Sequence, residues 1–426
     1  MRTTRRRFLK SAAASGAAVS LLGAPAIAQG VAGKVVVVGG GFGGATAAKY
    51  LKLANAKLDV TLIERDDRYI TCPFSNYVLG GFRKIEENVQ TFDALTKLGV
   101  KVTKGEAAGI DAPGRLLRLS GGSRITYDKL VVSPGVELNY KGVPGYDESL
   151  AEKLPHAWKA GPQTTLLRSQ LEAMPDGGTF IMVAPPNPFR CPPGPYERVS
   201  TIAWYFKNHK PKSKILILDA KDAFSKQSLF QGAWESEYPG MITWIAGKDG
   251  GKVESVDAAS MTVKSGFGAE KGTVINVIPP QTAGRIAIDG GLTDDRGWCA
   301  VDPQTFASRK AEHVYVIGDA SIAGAMPKSG TAANVQGKVA AAAIVAALDG
   351  KAATAPALLN ICYSLVTPDY GISTTDVYQV TADRGIIATP NAGGVSPRAP
   401  TAMGERKLEA EYTRAWYQAI TADTWG

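Results

Sequence analysis

The chain has 426 residues, 45% hydrophobic and 20% charged, a balance that supports more than one buried core and excludes a disordered or coiled-coil protein. Five basic residues, Arg2, Arg5, Arg6, Arg7 and Lys10, fall in the first ten positions, so the rest carries about +4 of the formal +9. That is too mild a charge to argue for nucleic-acid binding.

The basic opening has internal order. Thr4-Arg5-Arg6-Arg7-Phe8-Leu9-Lys10 leads into an alanine-rich, weakly apolar stretch and then Ala26-Ile27-Ala28, which resembles a twin-arginine export signal with a small-residue cleavage site. Residues 1–28 are read as a leader, the mature chain is expected to start near Gln29, and its expected location is the periplasm, reached in folded form. No later run reaches the roughly 18 consecutive apolar residues of a membrane span, so no integral membrane segment is expected in the mature chain.

Lys34–Val38 is a β-branched run of the kind buried on both faces of a parallel sheet, and it enters Gly39-Gly40-Gly41-Phe42-Gly43-Gly44 and a helix through Ala45 to Ala54. Gly39, Gly41 and Gly44 stand where the chain must turn, approach a pyrophosphate and pack helix on strand. A second strand, Leu58–Ile63, ends in Glu64, placed to accept ribose hydroxyl hydrogen bonds. Leu130-Val131-Val132-Ser133-Pro134-Gly135 adds a short strand and turn.

A third strand-like run, Thr179–Val183, opens a second unit but is followed by Ala184-Pro185-Pro186-Asn187-Pro188-Phe189-Arg190-Cys191-Pro192-Pro193-Gly194-Pro195. A phosphate loop uses unpaired backbone N–H groups, and proline has none. This unit, whose next strand Lys214–Leu218 ends in Asp219, is therefore expected to keep its sheet and to have lost its nucleotide. Electrons must then enter from something other than NAD(P)H, with Cys191 as the entry point.

Downstream, His313-Val314-Tyr315-Val316-Ile317-Gly318-Asp319-Ala320 and a helix from near Ser329 to Leu348 resemble the second FAD motif of glutathione-reductase-like flavoproteins. That resemblance puts Gly318 and Asp319 at the ribityl chain, aims the helix N-terminus at the flavin, and sets Ala107 where the third strand passes the adenine. The expected fold class is α/β, with two Rossmann-like domains and a C-terminal α+β domain. The FAD domain takes residues 31–145 and 285–355, the domain without a phosphate loop 146–284, and the C-terminal flavin and cytochrome-interface domain 356–426. The last of these is rich in aromatics, glycine and proline and is expected to close with a short helix from about Glu405 to Ala419.

The four cysteines, Cys72, Cys191, Cys299 and Cys362, form no CxxC pair and keep no metal-ligand spacing with the three histidines, so no metal site is expected. No CxxCH is present, so any haem belongs to another polypeptide. Thr71-Cys72-Pro73-Phe74-Ser75-Asn76, Phe189-Arg190-Cys191-Pro192-Pro193-Gly194-Pro195-Tyr196-Glu197-Arg198 and Asn360-Ile361-Cys362-Tyr363-Ser364 resemble the flavoprotein subunits of flavocytochrome c sulfide dehydrogenases.

The resemblance implies FAD joined through its 8α position to Cys72, a redox-active disulfide between Cys191 and Cys362, hydrosulfide as substrate, and a c-type cytochrome subunit that takes electrons singly. Hydrosulfide attack on one sulfur of the bridge gives a persulfide and a thiolate. Glu197 has two readings, a proton relay raised by burial and an ion pair with Arg198. Cys299 is assigned to core packing. Two alternatives stand beside this reading, a sulfide:quinone oxidoreductase and a non-catalytic flavin-bearing subunit of a sulfur-oxidation system.

Overall fold

A computed structural model describes residues 32–399 and 404–426, so the leader assigned to 1–28 lies outside the described residues. The valine run forms the strand Lys34–Val38 with all four valines buried. It is central in a five-stranded parallel sheet ordered Val314–Val316, Lys129–Val132, Lys34–Val38, Asp59–Glu64 and Lys101–Lys104. Unbroken apolar strands suit a parallel sheet that helices must cover.

The helices Phe42–Ala54 and Gly330–Leu348 pack together so closely that a Cβ on Gly337 would lie 2.6 Å from the Gly43 carbonyl oxygen. Among the described residues, Gly330–Leu348 is the one helix long and apolar enough to cross a membrane, yet 61% of that stretch is buried within the protein. Its length and apolar character are accounted for by this internal packing.

The inserted unit repeats the plan. Its four parallel strands run in the order Ile242–Ile245, Lys214–Asp219, Thr179–Ala184 and Val274–Val277. Each parallel sheet is accompanied by a three-stranded antiparallel meander, Ala107–Asp111 with Leu116–Leu119 and Arg124–Thr126 in one unit, Val253–Asp257 with Thr262–Ser265 and Gly268–Lys271 in the other. Val136–Leu138 pairs antiparallel with Gln281–Ala283, tying the chain where it leaves and re-enters the first unit.

Ala107 differs from expectation. The third strand of the first sheet is Lys101–Lys104, and Ala107 opens the meander. The backbone leaves the parallel ladder after Lys104, where Gly105 N donates to Glu64 O at 2.8 Å.

Three antiparallel strands, Leu358–Thr367, Tyr370–Thr381 and Gly385–Val395, and the helix Glu405–Trp425 complete the fold. The helix runs past Ala419 because other elements hold its last turn. Lys49 Nζ donates to the carbonyls of Ala422, Asp423 and Gly426 at 3.1, 2.9 and 2.6 Å. The Asp423 carboxylate accepts from Tyr50, Asn334 and Lys338. Of the aromatics of this segment Tyr378, Tyr417 and Trp425 are buried, Tyr363, Tyr370 and Trp416 are half-buried, and Tyr412 is 51% exposed.

Candidate active site

The glycine loop is built for a group that no side chain can displace. Gly39 has a φ of +94°, and a Cβ on Gly44 would sit 1.9 Å from the Gly39 carbonyl oxygen, so both positions demand glycine. Gly40 N donates to Glu64 Oε2 at 2.6 Å, while Glu64 Oε1 accepts from the amides of Arg65 and Asp66. The helix Phe42–Ala54 begins with no side-chain cap and no acid in its first turn, which leaves its first amides available to a phosphate. Tyr69 borders Gly41, and Trp425 stacks on Tyr69 with ring centroids 5.1 Å apart while its Nε1 donates to Gly40 O at 3.0 Å.

Asp319 supplies the second half of this site. Gly318 has a φ of +71° and its amide donates to Gln336 Oε1 at 2.7 Å, which sets the direction of the following aspartate. Asp319 Oδ1 is buried without a hydrogen-bond partner, and burial raises the carboxyl pKa against the opposing pull of Arg190 and Lys328. An orphaned buried carboxylate oxygen is costly, and a sugar or ribityl hydroxyl is the donor it fits. The cradle and this oxygen together match FAD.

Three cysteines gather beside them. Cys72 Sγ lies 3.6 Å from Trp158 O, the same carbonyl that accepts from the Arg190 guanidinium. Arg190 interacts electrostatically with Cys72, Asp319, Tyr69 and Cys191, which links the flavin-side residues to the proline loop. Cys191 has a left-handed φ of 58°, donates its amide to Lys328 O at 2.7 Å and accepts from Gly194 N at 2.8 Å.

Cys191 and Cys362 are electrostatic neighbours and both are free thiols. The disulfide implied by the resemblance is not formed in this structure. Both side chains keep partial exposure although they lie deep in the fold. Burial pushes the Cys191 thiol far up, with Glu197 and Cys362 adding. Burial also raises Cys362, opposed by Lys226 and by hydrogen bonds from Asn360, at 3.3 Å to the sulfur, and Ser329.

Glu197 is 7% exposed and accepts from Asn76 Nδ2 at 2.8 Å, Tyr77 Oη at 3.0 Å and Leu365 N at 3.2 Å. Burial raises its pKa, with the Asn76 hydrogen bond and the Lys226 charge pulling it back. The ion-pair reading fails on geometry. Arg198 donates to Asn76 Oδ1, Asn276 Oδ1 and the carbonyls of His156 and Ala157, so Asn76 bridges the two residues instead.

Several neighbours were given no role in the sequence reading. Lys226 donates to Cys362 O at 3.0 Å and Ser364 Oγ at 2.8 Å and faces Cys362, Glu197 and Cys191. Lys328, Asn76 and Trp425 reach the site from three further segments. Cys299 is fully buried, and burial pushes its thiol up to about 12, in keeping with packing.

In the inserted unit the strand-end Asp219 is completely buried, accepting from Tyr196 Oη at 2.5 Å, Trp244 Nε1 at 3.1 Å and Lys221 Nζ at 2.7 Å. Its helix Gly194–His209 is preceded by Pro193 and has Pro195 in its first turn. The carboxylate and the amides that would hold a second dinucleotide are thus consumed or missing.

Comparison with known proteins agrees with this geometry. Residues 33–170 match the pyridine nucleotide-disulphide oxidoreductase family. Residues 164–279 match the central region of the sulfide dehydrogenase [flavocytochrome c] flavoprotein chain, and 354–425 the flavin-binding region of flavocytochrome c sulphide dehydrogenase. This chain belongs to the sulfide-oxidising flavoproteins of the pyridine nucleotide-disulphide oxidoreductase fold.

The flavoprotein chain of the sulfide dehydrogenase [flavocytochrome c] of Chlorobaculum thiosulfatiphilum is 58% identical over 45 residues, 11% of this chain and 94% of that sequence. The mitochondrial sulfide:quinone oxidoreductase of Mus musculus is 23% identical over 324 residues, covering 71% of this chain and 68% of its own. The crystal structure of the sulfide:quinone oxidoreductase from Aquifex aeolicus superposes with a TM-score of 0.69 at 18% identity, over 92% of this chain and 91% of that one.

Proposed function

We propose that this flavoprotein oxidises hydrosulfide through a Cys191–Cys362 couple, holds FAD covalently through Cys72, and passes electrons singly to a c-type cytochrome subunit in the periplasm. The observation that carries the reading is that Arg190 interacts at once with Cys72, Asp319 and Cys191, while Cys191 interacts with Cys362, so three distant cysteine segments are linked to the carboxyl group with the orphaned oxygen. When bound, FAD supplies the two-electron sink and the one-electron outlet. Gly39, Gly41, Gly44 and Glu64 hold its dinucleotide part, Gly318 and Asp319 its ribityl chain.

The sulfur chemistry belongs to the protein. Hydrosulfide attack on the oxidised pair forms one S–S bond and breaks the bridge, leaving a persulfide and a thiolate. A second hydrosulfide removes the outer sulfur as HSS⁻, and closure of the two thiols releases two electrons. Glu197, raised by burial, accepts and returns a proton beside the pair, and Lys226 steadies the thiolate.

Acid precipitation of wild-type protein should keep flavin on the polypeptide, and Cys72→Ser should release it. Cys191→Ser and Cys362→Ser should each abolish flavin bleaching by sulfide while dithionite still bleaches it. Sulfide bleaching at the wild-type rate in either cysteine variant sinks the couple. A second reading, electron delivery to quinone, is favoured by the long relatives of Mus musculus and the Aquifex aeolicus neighbour. Turnover with cytochrome c and not with a short-chain ubiquinone supports the first, and the converse supports the second.

A further inference from the structure

Asp219 ends the strand Lys214–Asp219 of the inserted unit, is fully buried, and gathers donors on both of its oxygens. Oδ2 accepts from Tyr196 Oη at 2.5 Å and Trp244 Nε1 at 3.1 Å, and Oδ1 accepts from the Lys221 amide at 3.0 Å and Lys221 Nζ at 2.7 Å. A buried ion pair adds little net stability over packed apolar residues of the same volume. What this one adds is a fixed direction for each donor, and both sets of donors lead to the cysteine pair.

From Oδ2 the connection is aromatic. The Tyr196 ring, tethered by its hydroxyl, stacks on Phe224 with centroids 3.6 Å apart and planes at 15°, and the tethered Trp244 indole meets Phe224 edge-on at 5.2 Å. Phe224 lies two residues before Lys226 and closes a turn around it: Gln227 N donates to Phe224 O at 3.2 Å, and Phe224 N donates to Gln227 Oε1 at 3.3 Å. Within that turn Lys226 has a left-handed φ of 59°, a conformation that a residue with a Cβ keeps where its surroundings impose it. The turn brings Lys226 Nζ to Cys362 O at 3.0 Å and Ser364 Oγ at 2.8 Å. From Oδ1 the connection is Lys221, whose Nζ also donates to Pro185 O at 2.5 Å and lies 4.9 Å over the Phe189 ring. Pro185 and Phe189 belong to the loop that carries Cys191.

We infer that Asp219 is a positioning residue for the cysteine pair: one oxygen fixes Lys226 against Cys362 through Tyr196, Trp244 and Phe224, and the other steadies the Cys191 loop through Lys221. The inference rests on the cysteine-couple reading above and names the residue that sets the charge environment of that couple. In place of a ribose contact, the strand-end carboxylate supplies the geometry in which a cation meets the thiolate released when the bridge opens. Retreat of the Lys226 ammonium from about 5 Å to about 7 Å, in an effective dielectric of about 20, raises the Cys362 thiol by about 0.7 pH unit.

The test follows iodoacetamide alkylation of Cys362 against pH by peptide mass spectrometry, on reduced full-length flavin-loaded protein. Tyr196→Phe combined with Trp244→Phe removes both donors on Oδ2, keeps aromatic rings at both positions and leaves the Lys221 pair intact. It should raise the Cys362 midpoint by about half to one pH unit. Asp219→Ala, which cuts both connections, should raise it at least as far; if that variant does not fold, the double phenylalanine variant carries the test alone. In a Lys226→Met background neither change should move the midpoint further. An unmoved midpoint in the double phenylalanine variant overturns the inference, and so does a shift that adds in full to that of Lys226→Met. Midpoints that move as stated while sulfide leaves the wild-type flavin oxidised bring down the couple reading and keep the positioning role. Normal sulfide bleaching with unmoved midpoints does the reverse.

Discussion

Trp425 joins the C-terminal segment to the glycine loop, and its removal tests whether that contact holds the loop in shape. The indole is 3% exposed, donates to Gly40 O at 3.0 Å, stacks on Tyr69 at 5.1 Å and meets Phe42 edge-on at 4.8 Å. Truncating a buried tryptophan costs ~3–5 kcal/mol, of which the hydrogen bond accounts for ~1 kcal/mol and each aromatic pair for ~0.5–1.5 kcal/mol. Two of the three partners belong to residues 39–44 or the helix they open, so the loss falls on local opening of the loop.

A cost of ~3–4 kcal/mol corresponds to two to three powers of ten in that opening. Hydrogen exchange followed by mass spectrometry on peptides spanning the loop should accelerate by about that factor in Trp425→Ala. Trp425→Phe keeps the stack and loses the hydrogen bond, so it should move by about tenfold or less. In a Cys72→Ser background, where no covalent link holds the flavin, Trp425→Ala should also shed FAD on gel filtration. Unchanged loop exchange in Trp425→Ala, with only the helix Glu405–Trp425 fraying, refutes the coupling.

Three further outcomes follow from buried charge. Burial, with Arg198, Lys159 and Arg190 adding to it, lowers the His156 imidazole pKa to about 3, and its Nδ1 accepts from Trp158 N at 2.8 Å. The folded state therefore holds this ring neutral, and its contribution to stability is present above the unfolded value near 6.5 and lost as pH falls below it. The cost is ~1.4 kcal/mol per pH unit, about 2 kcal/mol at pH 5; His156→Asn should flatten that part of the urea-midpoint profile, and an unaltered profile excludes the assignment. For Lys226→Met, a unit charge at about 5 Å in an effective dielectric of about 20 is worth ~3 kcal/mol, or about 2 pH units. The iodoacetamide-reactivity midpoint of the reduced cysteine pair should move upward by one to two pH units, Lys226→Arg should restore it, and an unmoved midpoint removes Lys226 from the thiolate's environment. NADH and NADPH should leave the flavin oxidised, and bleaching by either contradicts the closed state of Asp219.

The parts of this molecule written in short, contiguous patterns were legible in the sequence. Lys34–Val38, the three glycines, Glu64, Gly318-Asp319 and the helix ending at Leu348 each depend on neighbours within a few residues, and each forms at its expected place. The proline replacement after Thr179–Ala184 was legible for the same reason. What escaped was fixed by partners far along the chain. The helix Glu405–Trp425 outruns its expected end because Lys49, Tyr50 and Asn334 hold its last turn. Ala107 moved off the third strand because the ladder ends at Lys104. Glu197 sits next to Arg198 in sequence, but on a helix consecutive residues point to different sides, and Asn76 from the distant short helix Ser75–Leu79 bonds to both.

The two parallel sheets show how one architecture comes to carry two chemistries. At the end of Asp59–Glu64 the carboxylate is held by loop amides at the chain surface, beside glycines and a helix start whose donors are uncommitted. At the end of Lys214–Asp219 the corresponding carboxylate is sealed under Tyr196, Trp244 and Lys221, beside a loop whose prolines remove the donors. Rigid backbone without free amides is poor at holding phosphate, but it fixes a cysteine at a left-handed turn, and the Cys191 amide is spent on Lys328 instead of on a ligand. The Cys191 loop therefore occupies the position that a second dinucleotide's phosphate loop would need. The second nucleotide is thus excluded twice, by the prolines of residues 184–195 and by the side chains that occupy Asp219.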